Sequence, residues 1–261
     1  MKRMKYTVYS RRGIGFGCGG GIILACLITL AAGPVLADTS IDSARQLMGR
    51  TTYPAKAWAV STELDYNLNN IRDEGRDTAA QELNLNYGLT DAWSAGVGIE
   101  SGEGPRKSFI YDRLAFGTRY QVLQRPFQLA PFVEYLPSLR QGADEWKLGL
   151  EALKNRGNMF FQFVGYGKSH KEPGSARELK GMFHLGPYYR FGTSAMAGVM
   201  LGYQTDGVSS LHLHYTGALG KYVFLGVEPK FGLSRRAPDL SVDFLLGVYF
   251  GPYGLLDWIL E

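Results

Sequence analysis

The feature that most constrains this chain is a two-residue alternation of apolar and polar side chains, clearest between Leu240 and Phe250. One face of that stretch is entirely apolar: Leu240, Val242, Phe244, Leu246, Val248 and Phe250. The other face includes Ser241, Asp243, Gly247 and Tyr249. Successive side chains point to opposite sides in an extended strand, so the pattern predicts β-structure. An unbroken apolar face opposite a carboxylate is typical of a sheet with lipid on one side and a polar interior on the other.

The same alternation recurs along most of the chain. The predicted strands cover residues 57–68, 81–89, 93–99, 113–122, 127–135, 145–153, 159–166, 180–191, 195–203, 210–219, 222–231 and 240–250. A length of about ten residues is what a tilted strand needs to cross a bilayer. The sequence therefore predicts an all-β protein, a single transmembrane antiparallel up-and-down β-barrel of about 12 strands.

The connections between the predicted strands alternate in length. Long polar segments at 69–80, 100–112, 137–144 and 167–179 alternate with short turns. Only the connection around Asp206 is short where the alternation predicts a long segment. Aromatic residues fall at both ends of the strands, which is where a bilayer interface selects them. We expect the long segments to face outward and both termini to be periplasmic.

Residues 1–37 read as an export signal. Five basic residues precede an apolar stretch at 21–32, and Val35, Leu36 and Ala37 supply small residues for cleavage before Asp38. A transmembrane anchor is the alternative, but the apolar stretch is shorter than the roughly 20 residues that a spanning helix needs. We expect a cleaved signal peptide.

The segments that flank the barrel, 38–56 and 251–261, do not alternate. In 38–56, Ile41, Ala44, Leu47 and Met48 have helical spacing behind Asp38, Thr39 and Ser40, which are suitable caps. Three alternatives are open for this segment: a plug in the lumen, a helix at the periplasmic rim, or a mobile lead-in that ends at Pro54. The segment 251–261 is predicted to be a tail.

Composition excludes several classes of protein once the leader is set aside. Five of the 28 Lys and Arg residues lie in 1–37, which has no acidic residue, so 23 basic and 24 acidic residues remain. Without a basic stripe, we expect no nucleic-acid partner. Both cysteines, Cys18 and Cys26, also lie in the leader, which excludes a disulfide scaffold or a thiol enzyme.

One hairpin carries a resemblance to known proteins. It runs Asn86-Tyr87-Gly88-Leu89-Thr90-Asp91-Ala92-Trp93-Ser94-Ala95-Gly96-Val97-Gly98. Over residues 57–250 the chain resembles Gram-negative outer-membrane β-barrel proteins, and this hairpin is similar to the repeated "YGLTD…LGVG" hairpins of outer-membrane transporters associated with aromatic-degradation pathways. The resemblance implies a bacterial outer-membrane location, contact with membrane lipid and lipopolysaccharide, and insertion by the barrel-assembly machinery. Such barrels usually end on an aromatic residue, whereas here Phe250 is followed by 251–261.

The predicted inward faces carry charges of both signs. The candidate pore-lining residues are Glu63, Asp65, Glu82, Arg113, Arg119, Glu134, Lys147, Glu151, His184, Arg190, His212, His214, Glu228, Lys230 and Asp243. Two hypotheses are open. The charges pair across a filled, rigid lumen, or they line a wet channel and bias what passes.

Three functions are weighed for such a barrel. The favoured one is a narrow channel or transporter for small polar or amphipathic solutes. The alternatives are a non-conducting structural or scaffold barrel and a lipid-modifying enzyme, for which Ser209 and Ser210 lie beside His212. His212 and His214 share a face and have a usable metal-ligand spacing, but polar wall residues paired to Glu228 or Asp243 are the favoured interpretation, and no cofactor is expected.

Overall fold

The computed structural model describes residues 43–68, 78–103, 109–140, 144–170, 178–192 and 194–252. The predicted signal peptide, residues 38–42 and most of the predicted tail lie outside the described residues.

Twelve antiparallel strands form one closed sheet. They are β1 (Trp58–Leu68), β2 (Thr78–Thr90), β3 (Trp93–Glu103), β4 (Phe109–Tyr120), β5 (Gln128–Leu136), β6 (Glu145–Arg156), β7 (Met159–His170), β8 (Glu178–Phe191), β9 (Ala195–Gln204), β10 (Ser209–Leu219), β11 (Val223–Gly232) and β12 (Leu240–Phe250). Each strand pairs with its neighbours in sequence, and β1 pairs with β12. The prediction of a 12-stranded up-and-down barrel is confirmed.

The first and last strands close the barrel without a register break. Trp58 lies opposite Phe250 at one end of this pair, and Leu68 lies opposite Leu240 at the other. Inward residues such as Asp65 and Asp243 are buried, whereas Phe244 is exposed on the outer face. Because the side-chain period of a strand is two, this register puts the apolar face of β12 outside and the face that carries Asp243 inside.

Most strands extend beyond their predicted ends. β2 begins at Thr78, β6 continues to Arg156, and β7 continues to His170. In β6 and β7, Arg156 pairs with Met159, which leaves Gly157 and Asn158 as the turn. Gly157 has a φ of 59°, which favours glycine. The backbone ladder continues wherever a partner strand is present, so the apolar pattern underestimates strand length.

Aromatic side chains lie at both ends of the outer surface. Trp58 packs against Tyr87 near the end with the short turns, with 4.2 Å between ring centroids. Tyr135 packs against Trp146 near the other end, at 4.4 Å. We call these ends the short-turn end and the long-loop end. Exposed aromatics at both ends are what the interfaces of a bilayer favour.

The N-terminal segment lies inside the barrel. A short helix, α1 (Ser43–Met48), and the residues that follow it are buried, with Leu47 and Tyr53 in an apolar cluster that includes Phe160, Tyr188 and Tyr249. Among the described residues, no helix is long and apolar enough to cross a membrane. Of the three placements open for this segment, the structure has it in the lumen at the short-turn end.

Candidate functional site in the barrel lumen

All fifteen residues predicted to line the interior have side chains on the inward faces of the strands. Several are almost fully removed from solvent, among them Glu151 (0 %), Glu82 (1 %) and Lys147 (2 %). Alternation alone places them inside, because each belongs to the polar face of its strand. The structure groups most of them into the clusters described below. Their role in lining a pore remains a prediction.

The first cluster joins α1 to the barrel wall through Glu151 on β6. Arg45 Nη1 donates to Glu151 Oε2 at 2.9 Å, and Arg119 on β4 forms an ion pair with the same oxygen. Gln162 Nε2 on β7 donates to Glu151 Oε1 at 2.7 Å, and Gln46 Nε2 donates to Gln162 Oε1 at 2.7 Å. A buried carboxylate with two guanidinium partners and an amide donor is well compensated, so this cluster fixes α1 to the wall.

Backbone atoms after α1 are held by polar side chains of the wall. The Gly49 carbonyl accepts from Gln128 Nε2 at 2.7 Å and from Asn155 Nδ2 at 3.1 Å. Arg50 Nη2 donates to the Asp91 carbonyl at 3.0 Å. Burial lowers the pKa of the Arg50 guanidinium, against the opposing influence of the Asp91 carboxylate. These bonds hold the chain that follows α1 against the wall.

The second cluster lies nearer the long-loop end, around Glu145. Arg113 Nη2 and Lys168 Nζ are 2.9 Å and 3.0 Å from its two carboxylate oxygens. Lys147 Nζ lies 3.3 Å from Glu134 Oε2. Opposite charges from β4, β5, β6 and β7 thus meet on one part of the wall.

The third cluster is centred on Glu228 of β11. The Nδ1 atoms of His212 and His214 each lie 2.7 Å from one of its carboxylate oxygens. The Nε2 atoms then contact hydroxyl groups, Ser210 Oγ at 2.7 Å and Thr216 Oγ1 at 2.6 Å. One carboxylate therefore orients two imidazole rings, each of which reaches a hydroxyl group on its own strand.

The neighbouring strands extend this third cluster. Lys230 forms an ion pair with Asp243, and Ser241 Oγ donates to Asp65 Oδ1 at 2.7 Å. His184 meets the His212 ring edge-on, with 5.2 Å between centroids. Lys230 thus reaches Asp243 diagonally across the β11–β12 pair, and Ser241 links β12 to Asp65 of β1.

Arg190 lies apart from these clusters, toward the short-turn end of β8. Its Nη2 donates to Asn155 Oδ1 at 3.0 Å, and its guanidinium lies 4.7 Å from the centre of the Phe160 ring. Arg190 therefore borders α1 and the residues that follow it, which we call the α1 plug, rather than the charged middle of the lumen.

The inward set also includes residues that sequence reasoning missed. Glu100 and Glu145 are buried at 4 % and 1 % exposure. Glu100 follows Ser94, Gly96 and Gly98 in phase on β3, so the alternation indicates it, but the polar character of residues 100–112 predicts a loop there. Arg45 carried no such signal, because its role depends on α1 entering the lumen.

Cavities remain between these clusters in the part of the lumen that the structure describes. One of about 80 Å³ is bordered by Arg45, Arg119, Glu63 and Glu82, and one of about 30 Å³ by the Glu228 cluster. A third of about 140 Å³ is bordered by Asp65, His212 and Lys230. Side chains therefore do not fill the described part of the lumen completely.

The ring nitrogens of the Glu228 cluster already have partners. Within the described ranges, no group of three or more His, Cys, Asp or Glu residues is arranged to hold a metal ion. Both Nδ1 atoms are occupied by Glu228 and both Nε2 atoms by hydroxyl groups. The same geometry gives no support to a lipid-modifying enzyme, because Ser210 and His212 face the lumen and a lipid substrate lies against the outer face.

Comparisons with known proteins support the fold. No protein-family model matches the chain. No curated protein matches it either. An outer-membrane channel from Pseudomonas putida F1 is similar in structure, with 13 % identity and a TM-score of 0.60, over 83 % of this chain and 100 % of that one.

Two porins are also similar in structure. The KdgM porin, solved in complex with oligogalacturonate, has 10 % identity and a TM-score of 0.53 over 74 % of this chain and 99 % of its own. The NanC porin has 8 % identity and a TM-score of 0.52 over the same shares. The chain therefore has the fold of outer-membrane β-barrels, as the resemblance implied.

Proposed function

We propose that this protein is a narrow channel or transporter of the bacterial outer membrane for small polar or amphipathic solutes, with both termini periplasmic. The observation that carries the proposal is the contrast between the two surfaces of the barrel. The outer surface exposes apolar and aromatic side chains, whereas the lumen is lined by charges of both signs around cavities. A barrel with no passage has no need to keep unfilled space beside buried charges.

The α1 plug narrows this passage at the short-turn end. Its polar attachments to the wall run through Arg45, Gln46, Gly49 and Thr51 to Glu151, Gln162 and Gln128. The apolar contacts of Leu47 and Tyr53 add to these hydrogen bonds and ion pairs in holding the α1 plug. These attachments are made by side chains and not by the strand pairing, so they can be weakened one at a time without disrupting the wall.

Conductance in a planar bilayer tests the proposal. The processed protein is expected to carry a steady or intermittent current. Arg45→Gln removes one cation from Glu151 but leaves Arg119 there, so this variant is expected to open more often while the barrel stays folded. Lys154→Gln, at an exposed outward position on β6, is the matched control and should leave the current unchanged.

Heat-dependent mobility on gels confirms folding in every variant. A folded protein that carries no current with or without Arg45 would contradict the channel and favour the scaffold barrel.

A further inference from the structure

Ser210, His212 and Glu228 form a hydrogen-bonded chain across β10 and β11. Ser210 Oγ lies 2.7 Å from His212 Nε2, and His212 Nδ1 lies 2.7 Å from Glu228 Oε1. An ionised carboxylate can only accept, so Glu228 requires the ring proton of His212 to be on Nδ1. Nε2 is then the acceptor, and the Ser210 hydroxyl group donates to it. A hydroxyl group bonded in this way to an imidazole that a carboxylate orients is activated as a nucleophile.

The hydroxyl group of this chain is the part that a solute can reach. His212 and Glu228 are 3 % and 7 % exposed, whereas Ser210 is partly exposed. Ser210 is the second residue of β10, at the long-loop end, and it borders the cavity of about 140 Å³. Val208 and Pro238, from two connections at that end, border the same cavity. The imidazole and the carboxylate are therefore shielded from water, while the hydroxyl group faces open space.

Glycine on both neighbouring strands keeps the space beside Ser210 open. Ser210 lies opposite Gly202 on β9 and opposite Gly232 on β11, and both glycines border the cavity. A Cβ atom at Gly202 would lie 2.8 Å from Ser210 Oγ and 2.7 Å from His212 Nε2. Glycine inside a strand is common where a ligand approaches closely. A side chain at position 202 would fill the space through which a carbonyl carbon approaches the hydroxyl group.

The same carboxylate holds a second chain that lacks this access. His214 Nδ1 lies 2.7 Å from Glu228 Oε2, and His214 Nε2 lies 2.6 Å from Thr216 Oγ1. Thr216 is 0 % exposed, so no solute reaches its hydroxyl group. The two chains have the same chemistry, and access assigns the reaction to Ser210.

We propose that Ser210 is the nucleophile of a hydrolase for small water-soluble esters that enter from the long-loop end. Ser210 Oγ attacks the ester carbonyl carbon while its proton passes to His212 Nε2. The bond from that carbon to the alcohol oxygen then breaks, and the proton leaves with the alcohol. Water attacks the acylated Ser210, gives a proton to His212, and releases the carboxylic acid as the proton returns to Ser210 Oγ. Glu228 is a positioning residue, because it holds the His212 ring and does not touch the substrate.

Lys230 is placed to stabilise the negative charge that develops on the carbonyl oxygen. It lies directly opposite His212 on β11 and borders the same cavity. Its ammonium group forms an ion pair with Asp243. An ammonium group has three N–H donors, so this ion pair and a hydrogen bond to the substrate can coexist. The activity is additional to transport and does not require the barrel to conduct.

Hydrolysis of p-nitrophenyl acetate by the folded, processed barrel in detergent tests the site. Release of p-nitrophenol measures turnover, and mass spectrometry of the digested protein locates the acetyl group, which is expected on Ser210. Ser210→Ala is expected to lower turnover by at least about 100-fold, the lower end of what a positioned base supplies. Ser209→Ala makes the same chemical change at the neighbouring position, on the opposite face of β10, and should leave turnover unchanged.

Two further variants separate chemistry from folding, which heat-dependent gel mobility checks in each case. Glu228→Gln is expected to lower kcat by about 100-fold and to leave KM unchanged, because Glu228 contacts His212 and not the substrate. Gly202→Ala places a methyl group against Ser210 Oγ and is expected to stop acetylation of Ser210. It provides the test if Ser210→Ala fails to fold.

The outcomes separate a site in the lumen from reactivity elsewhere. Acetyl groups on lysine side chains alone, or turnover that Ser210→Ala leaves unchanged, overturn the inference. The dodecanoate ester of p-nitrophenol is expected to react much more slowly than the acetate, because the cavity beside Ser210 is small. Equal rates for the two esters, both lost in Ser210→Ala, would place the substrate in the membrane and overturn the assignment to water-soluble esters.

Discussion

Replacing Glu151 by glutamine tests the most connected charged cluster of the barrel. Glu151 is 0 % exposed and accepts from Arg45, Arg119 and Gln162. The amide has nearly the same shape, but it removes the negative charge that both buried guanidinium groups contact. Removing one partner of a buried ion pair typically lowers the free energy of unfolding by about 3–5 kcal/mol, and we expect Glu151→Gln to fall in that range.

Unfolding by urea in lipid vesicles, followed by tryptophan fluorescence, measures this loss, because the chain contains four tryptophans. The double variant Arg119→Gln with Glu151→Gln also removes one of the two cations that contact position 151. It is therefore expected to be less destabilised than the sum of the single variants. Glu178→Gln, exposed on β8, is the matched control and should change stability by no more than about 0.5 kcal/mol.

A Glu151→Gln protein as stable as the control would refute this reasoning. It would mean that water reaches both guanidinium groups and that the cluster does not hold the wall together.

Two further predictions concern packing and topology. Gly247→Ala places a methyl group into the Phe224 ring, which is 1 % exposed, so it is expected to cost about 1–3 kcal/mol in urea unfolding. Gly167→Ala meets only Leu179 Cδ1 at 3.6 Å and should be nearly neutral; equal losses would contradict the packing argument. In intact cells, an added protease is expected to cut the segment 171–177 and to spare Lys154 at the short-turn end. Cutting only at Lys154 would show that the barrel has the opposite orientation in the membrane.

The sequence was sufficient for the strands because alternation is a local property. In β12, for example, residues two positions apart lie on the same face and are similar in polarity, so the local sequence indicates which face each residue is on. The strand count, the antiparallel order and the inward position of all fifteen candidate residues followed from that pattern. Strand ends were less predictable, as Glu100 shows, because pairing with a neighbour extends a strand beyond its apolar pattern.

The partners of the inward charges could not be predicted in the same way. Arg45 and Glu151 are 106 residues apart, and nothing in the local pattern of either indicates the other. The row of Glu63, Glu82 and Glu100 exists only because two strand registers align. Register and closure are set by the whole sheet, and a slip of two residues would keep every face but change every neighbour.

By itself, then, the sequence determined which side chains face lipid and which face the lumen, since that choice repeats every two residues along one strand. Only the tertiary structure decided that α1 occupies the lumen, that Glu228 holds two histidines, and that Glu63 and Glu82 border the same cavity as Arg45 and Arg119. Those arrangements join residues distant in the chain, and they form only when the barrel closes and brings its opposite walls within reach of each other.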